Sequence, residues 1–293
     1  MSLIYDLHTH SDASDGTLSP AELVQRAAAA GVRCLALTDH DTLEGLATAA
    51  STARQEGIDW VPGVEVSVTW GGRTIHLVGL HVDAACPVLL EGLAGLREYR
   101  VWRAEEIGRR LAGHGIEGAF EGARTLSSGR LVSRTHFARL LVRRGVAADV
   151  RHVFKHFLVQ GKPGYVPGQW AALNDAVGWI RQAGGQAVLA HPARYKLTRG
   201  GLRRLIGEFR EAGGCALEVV SGSHSRDDYV TMAHHAADFG LLSSAGSDFH
   251  DPLAPWIELG RLPELPDGCV PIWRDWGGPE RDTRPQRPCA VAA

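Results

Sequence analysis

Histidines and carboxylates recur where short apolar runs end. His8-Thr9-His10 follows the run Leu3–Leu7, with Asp15 a few residues on, and Thr38-Asp39-His40-Asp41 follows Cys34–Leu37. Glu65 lies in Trp60–Val68 and His76 in Thr74–Val82. Ala190-His191-Pro192 follows Ala187–Leu189, and Ser247-Asp248-Phe249-His250 follows Leu242–Ala245. One such histidine is ordinarily structural, but repetition over several independent runs points to metal binding. The donors are nitrogen and oxygen without thiolate, which suits Mn, Fe, Zn or Co better than a soft-metal site. His8 and His10, two apart on a strand, point to the same side and can share an ion. A carboxylate such as Glu65 can bridge two ions. Clustered divalent ions lower the pKa of bound water and neutralise charge developing on phosphate oxygens. Asp39 and Asp41 either fix imidazole orientation or serve as caps and turns.

For these residues to meet, the strands must converge. Apolar runs alternate with amphipathic segments: Ser19-Pro20-Ala21-Glu22 opens a helix as a capping box and Gly31 stops it. Further helices are expected at Leu43–Glu56, Leu173–Gln182, Leu202–Glu211 and Asp227–Asp238, and Gly71-Gly72 marks a hairpin turn. Strand–helix repetition predicts a mainly parallel α/β sheet, and about seven strands can close into a barrel. In such a barrel the carboxyl ends of the strands share one face, so the imidazoles and carboxylates above would share one rim.

The middle is different in kind. From Pro87 to Gln160 the pattern is helical throughout. Between Arg97 and Lys155 there are thirteen basic and six acidic residues, a net +7, so the rest of the chain sits near -9 against a total of -2. This predicts a discontinuous barrel, 1–86 and 165–275, interrupted at 87–164 by an all-helical, basic, substrate-binding lid; a solvated arginine-rich surface is the plainer alternative. The segment 276–293, rich in proline, glycine and charge, is expected to be disordered.

Composition sets limits. The 293 residues, 44% of them hydrophobic, can bury a sizeable core. No apolar stretch approaches the ~20 residues of a membrane span, and Met1-Ser2-Leu3 leads into a strand pattern without a signal peptide. Cys34, Cys86, Cys215, Cys269 and Cys289 are scattered and odd in number, which predicts reduced thiols in a cytoplasmic protein. Nearly all the basic charge is arginine, reflecting either genomic base composition or demand for a planar phosphate-gripping fork.

The ordered set HxH, TDHD, glutamate, lone histidine, AHP and SDFH resembles the PHP (polymerase and histidinol phosphatase) family of amidohydrolase-like metalloenzymes. The resemblance spans both barrel portions, and no position of its nine-ligand set is missing. It implies a distorted (β/α)7 barrel with up to three divalent metals, Mn foremost. It further implies one ion on His8, His10, Glu65 and Asp248, a second on Glu65, His76 and His191, and a third on Asp15, His40 and His250. Within the family the chain looks most like the stand-alone phosphatases with a helical insertion, above all those acting on nucleoside 3',5'-bisphosphates. The further matching features are Ser133-Arg134-Thr135-His136 and Arg194.

These features have a physical reading. Ser133-Arg134-Thr135 starts a helix running to Arg143, and a helix N-terminus with an arginine is an anion site for a non-reacting phosphate. Arg194, just past His191, is placed to touch the scissile phosphate. Trp102 and Arg103 either contact a base or pack between helices. His224 follows another strand end and is a candidate to assist the leaving group. The expected activity is phosphoric monoester hydrolysis, with His191, Asp248 and Arg194 at the reacting centre. The expected partner is a small nucleotide. The rivals are a phosphodiesterase or 5'-3' exonuclease on short oligonucleotides, a histidinol-phosphate-type phosphatase, and a non-catalytic nucleotide-binding module.

Overall fold

The computed structural model describes residues 4–127, 131–254 and 256–276. Residues 1–3 and the segment from 277 onward, expected to be disordered, lie outside the described residues. In chain order the first half of the barrel comprises β1 (Tyr5–Asp6), α1 (Pro20–Ala29), β2 (Cys34–Leu37), α2 (Leu46–Glu56), β3 (Asp59–Trp70) and β4 (Arg73–Leu80). Helices follow: α3 (Pro87–Ala112), α4 (Ala119–Leu126), α5 (Arg134–Arg143) and α6 (Val150–Val153), which runs into a π-helical turn at Phe154–Leu158. The second half comprises β5 (Ala171–Ala172), α7 (Leu173–Gln182), β6 (Gln186–Leu189), a 3-10 turn at Pro192–Tyr195, α8 (Arg199–Glu211), β7 (Ala216–Ser221), α9 (Arg226–Phe239) and β8 (Leu242–Gly246).

The sheet runs β1-β2-β3-β4-β6-β7-β8, with β5 attached to β3. All pairings are parallel except those of β4, which is antiparallel to both neighbours. Gly71 and Gly72 both take positive φ (53° and 73°), as a tight hairpin turn with the right strand twist requires. The circle closes beyond the last strands: the Leu7 amide donates to the Ala245 carbonyl, Asp248 to His8, and His10 to Phe249, at 3.0, 2.8 and 2.9 Å. The seven-strand path is therefore the distorted α/β barrel expected, with α1, α2 and α7–α9 packed outside it.

Capping explains most helix limits. Ser19 and Glu22 form the capping box of α1, and Gly57 ends α2 in the left-handed region. Two starts differ from expectation by three residues. Helix α8 begins at Arg199, three residues early, because Thr198 accepts the Gly201 amide at 3.1 Å. Helix α2 starts later, at Leu46 rather than Leu43, after a Gly45 cap with no side-chain bond.

Helix α3 serves two cores. Leu89, Leu93 and Leu96 pack with the outer face of the sheet and with α7. Ala104, Ile107 and Leu111, further along, pack with Ala123, Phe137, Leu141 and Leu158 in a separate cluster built from the inserted helices. Between the two, Arg100 joins insertion to barrel: its Nε donates to Asp41 Oδ2 at 2.6 Å and its Nη2 to Ser67 Oγ at 2.8 Å, while Arg97 reaches the Asp41 carbonyl at 3.2 Å.

Candidate metal centre

The loops after β1, β2, β6 and β8 deliver their side chains to the end of the barrel where β3 and β4 present Glu65 and His76. His8, His10, Asp15, Glu65, His191 and Asp248 are buried, and His40, His76 and His250 partly so. Glu65 is the hub. Its Oε2 lies 3.3 Å from His8 Nε2, 3.2 Å from His10 Nε2 and 3.0 Å from His40 Nδ1. Its Oε1 lies 2.8 Å from His76 Nδ1 and 3.1 Å from His191 Nε2. Asp248 Oδ1 faces the same two histidines, 3.6 Å from His8 Nε2 and 3.3 Å from His10 Nε2. Asp15 Oδ1 lies 3.2 Å from His250 Nε2 and 3.9 Å from His40 Nε2.

These atoms are near one another without being satisfied. His8 Nε2, both His10 nitrogens, His40 Nδ1, His76 Nδ1, Glu65 Oε2 and Asp15 Oδ1 are buried and lack a hydrogen-bond partner among the described residues. Orphaned buried polar atoms are costly and require an explanation. Here they fall into three groups whose ligand atoms lie within 4.8 Å of one another: His8-His10-Glu65-Asp248, His40-Glu65-His76 and His10-Asp15-His40-His250. The donors fit divalent cations. Burial pushes the Glu65 carboxyl up, but the charges of His40, His76 and His8 prevail and hold it well below the usual carboxylate range. At Asp248 the opposing charges are led by His8. The carboxylates are thus ionised and facing inward, as ligation requires.

The first group coincides with the set implied for one ion. In the second, His40 joins Glu65 and His76 while His191 faces the same Glu65 oxygen as His76; in the third, His10 joins Asp15, His40 and His250. His191 (φ 29°) and Asp248 (φ 56°) take backbone conformations that L-residues rarely adopt, as does Asp41 (φ 52°). Such strain concentrates at functional sites.

The remaining predicted residues fall in different places. Ser133 Oγ and Thr135 Oγ1 both donate to Asp15 Oδ2, at 3.2 and 3.0 Å, so their hydroxyls engage the cluster rather than stand open to a phosphate. The N-terminus of α5 is thereby docked at the cluster, and His136 Nδ1 accepts the Ser133 amide to complete its cap. Arg134 lies over the Phe154 ring at 5.5 Å. Burial lowers its pKa, and the charges of Arg100 and Arg194 lower it further; among the described residues no carboxylate lies in ion-pair contact with it. Arg194 donates to Asp248 Oδ2 at 2.6 Å and keeps half its side chain exposed. Arg103 is buried, donates twice to the Val166 carbonyl and lies over Trp170; burial, then Arg134, bring it down to about 9. Trp102 is 52% exposed beside Tyr99, not part of a helix-packing core. His224 is buried with Nδ1 on the Val219 carbonyl of β7 and Nε2 3.4 Å from the Ala193 amide, so its ring ties β7 to the backbone of the His191–Arg194 turn.

Among the described residues Asp39 and Asp41 make no hydrogen bond to an imidazole. Asp39 accepts from the Ser11 amide, Ser11 Oγ and Ser14 Oγ, tying down the loop after His10, and Asp41 receives Arg100 and the Ser67 amide. Glu218, in the middle of β7, is the residue that orients one: its Oε1 lies 3.0 Å from His8 Nδ1 and its Oε2 accepts the His191 amide at 2.5 Å. A lone carboxylate within the apolar run Ala216–Val220 was the available signal.

Known proteins resemble this chain over nearly its full length. The PHP domain pattern matches residues 6–96. A 3',5'-nucleoside bisphosphate phosphatase from Chromobacterium violaceum is 52% identical over 92% of this chain and 95% of its own length. The 5'-3' exoribonuclease Rnm of Escherichia coli is 45% identical over 96% of each chain. A solved structure of an amidohydrolase from Chromobacterium violaceum, with bound sulfate, superposes with a TM-score of 0.89 at 52% identity, covering 92% of this chain and 94% of the other. A more distant structure from Bifidobacterium adolescentis shares the fold at 23% identity and a TM-score of 0.78, covering 93% and 94%. With the barrel, the carboxylate-bridged histidine cluster and relatives matching over nearly its full length, the chain belongs to the PHP-domain family of phosphoester hydrolases.

Proposed function

We propose that this protein is a metal-dependent phosphoric monoester hydrolase that removes the 3'-phosphate of nucleoside 3',5'-bisphosphates, giving nucleoside 5'-monophosphate and phosphate. The observation that carries the reading is Arg134. It is half-buried, with the charges of Arg100 and Arg194 on it offset in part by Asp15, and docked at the cluster through its neighbours Ser133 and Thr135 on Asp15. A guanidinium so placed calls for an anion, and its position at a helix N-terminus favours phosphate. The substrate then needs two phosphates, one at Arg134 and one at the ligand cluster. The Chromobacterium violaceum relative named for this substrate supports the choice.

His8, His10, Glu65 and Asp248 would hold one ion, His40, Glu65, His76 and His191 a second, and Asp15, His250 and their neighbours a third. Divalent ions there, Mn foremost with Fe, Zn or Co as alternatives, supply charge neutralisation and an activated water. The chain's own residues do the rest. Arg194, fixed by Asp248, places its remaining donors beside the reacting phosphoryl oxygens. Arg134 and the amides opening α5 hold the 5'-phosphate, which fixes the sugar relative to the cluster. The exposed face of Trp102 offers a surface for the base.

Mn-loaded protein is expected to release phosphate from adenosine 3',5'-bisphosphate and leave the 5'-monophosphate. No release, or release leaving the 3'-monophosphate, refutes the proposal. A second reading is favoured by the basic stretch 97–155 and by the exoribonuclease relative. A 5'-phosphate held at Arg134 places the 3'-ester of the same nucleotide at the cluster, whether that ester ends there or continues into an oligonucleotide. Digestion of a 5'-phosphorylated oligonucleotide one residue at a time, weakened by salt, would support it. A histidinol-phosphate-type substrate carries one phosphate and leaves Arg134 without a ligand.

A further inference from the structure

Strand β7 is buried throughout, and its run Ala216–Val220 is apolar except for Glu218, which is 2% exposed. Two different ligand-bearing segments meet on this carboxylate. Oε1 faces His8 Nδ1, and Oε2 accepts the backbone amide of His191. Space for the arrangement is made by Gly246 on the adjacent strand β8: a Cβ there would overlap the His8 Cβ and come within 2.7 Å of Glu218 Oε1. We infer that Glu218 is a positioning residue that couples two metal ligands, setting the proton of His8 on Nδ1 and pinning the strained backbone of His191.

A carboxylate can only accept, so in this contact His8 Nδ1 carries the proton, which makes Nε2 the nitrogen that can turn a lone pair to an ion. That nitrogen faces Glu65 Oε2 and Asp248 Oδ1 at 3.3 and 3.6 Å, in the group assigned to the first ion. The second oxygen acts on a different group. His191 stands at φ 29°, and its Nε2 faces Glu65 Oε1 at 3.1 Å. Holding its amide offsets part of the strain and fixes the turn that carries Arg194. A single side chain thus orients donors for two ions, so loss of Glu218 should weaken both together.

The inference rests on the metal reading above and is tested by metal binding, not turnover. Glu218→Gln keeps the shape of the side chain but places an NH2 where one acceptor stood. If its oxygen stays on His191, the NH2 donates to His8 Nδ1 and drives the His8 proton onto Nε2, where it blocks the ligand. If its oxygen turns to His8, the NH2 confronts the His191 amide. Expected, by Mn titration of metal-stripped protein, is an affinity about 10–100-fold weaker at two sites, with melting of the metal-free protein near wild type. Glu218→Ala, which leaves His8 free to choose its tautomer, should bind no worse than Gln. A Gln variant that binds like wild type while Ala fails would mean that Glu218 only fills space, and would overturn the inference. Should Gln not fold, 15N-histidine NMR of Zn-loaded wild type decides: Nδ1–H on His8, assigned by loss of its signal in His8→Gln, supports the inference, and a bare Nδ1 overturns it. Wild type that takes up neither ion in the same titration overturns the metal centre itself, a result distinct from a metal-binding wild type with an indifferent Gln variant.

Discussion

Arg100→Met tests the junction between insertion and barrel. Asp41 is fully buried and Arg100 is 8% exposed. The substitution keeps an aliphatic side chain but removes two donors and the guanidinium lying over the Trp170 ring, leaving Asp41 Oδ2 stripped of its counter-charge. Breaking a buried ion pair by removing one partner costs about 3–5 kcal/mol. An unfolding entropy of about 2.1 cal/mol/K per residue amounts to about 0.6 kcal/mol/K for this chain, so the melting temperature should fall by about 5–8 °C. The measurement is thermal and urea unfolding of metal-free protein, so that ion binding does not mask the loss. Asp41→Asn, which an αL position tolerates, completes a double-mutant cycle; the double variant should be less destabilised than the sum of the singles by at least about 1 kcal/mol. A loss below about 1 kcal/mol for Arg100→Met, or strict additivity in the cycle, would refute the view that this pair holds the insertion in place.

Other perturbations have equally definite outcomes. Burial against Trp276 holds the His81 imidazole down at about 4, from an ordinary 6.5. The unfolded chain therefore binds a proton that the folded chain refuses between those values, and stability present above pH 6.5 is lost as pH falls toward 4. At about 1.4 kcal/mol per unit the loss from this residue is at most about 3.5 kcal/mol, and urea midpoints of His81→Phe should show a correspondingly flatter acid limb. Gly246→Ala should cost about 1–3 kcal/mol by overpacking and lower metal content, both readable by melting and elemental analysis. Stripping bound metal with a chelator should lower the melting temperature, since ions at a hundredfold excess over their dissociation constant add about 2.7 kcal/mol. Trp102→Ala, at a half-exposed site, should leave stability within about 0.5 kcal/mol while raising KM for the nucleotide; an unchanged KM in steady-state assays would remove the base-contact role.

The ligands were legible because they interrupt apolar runs at strand ends, where a barrel gathers them whatever its exact register. Helix α5 was legible to the residue because Ser133 caps it, and the β3–β4 turn because two adjacent glycines mark it. Other features depend on contacts that no local pattern encodes. Glu218 sits inside a strand, and its role appears only once β7 lies beside the strands carrying His8 and His191. The roles of Asp39 and Asp41 were set by partners 25 to 59 positions away in sequence. The two-residue β5 is too short to carry a period, and α8 began early because Thr198 outweighs the glycines that follow it. The division of α3 between two cores falls where the buried Arg100 and Arg103 interrupt its apolar stripe, and in sequence those arginines read as ordinary solvated helix positions.

Asp15 divides its carboxylate between two parts of the molecule: one oxygen faces His40 and His250, and the other accepts the hydroxyls of Ser133 and Thr135. An ion on the first oxygen and an anion at the head of α5 therefore pull on the same group. By thermodynamic reciprocity, whatever factor a bound phosphate adds to metal affinity there, the metal must add to phosphate affinity. Ions and nucleotide cannot then be titrated as independent ligands: occupancy of that position, measured without substrate, is not its occupancy during turnover.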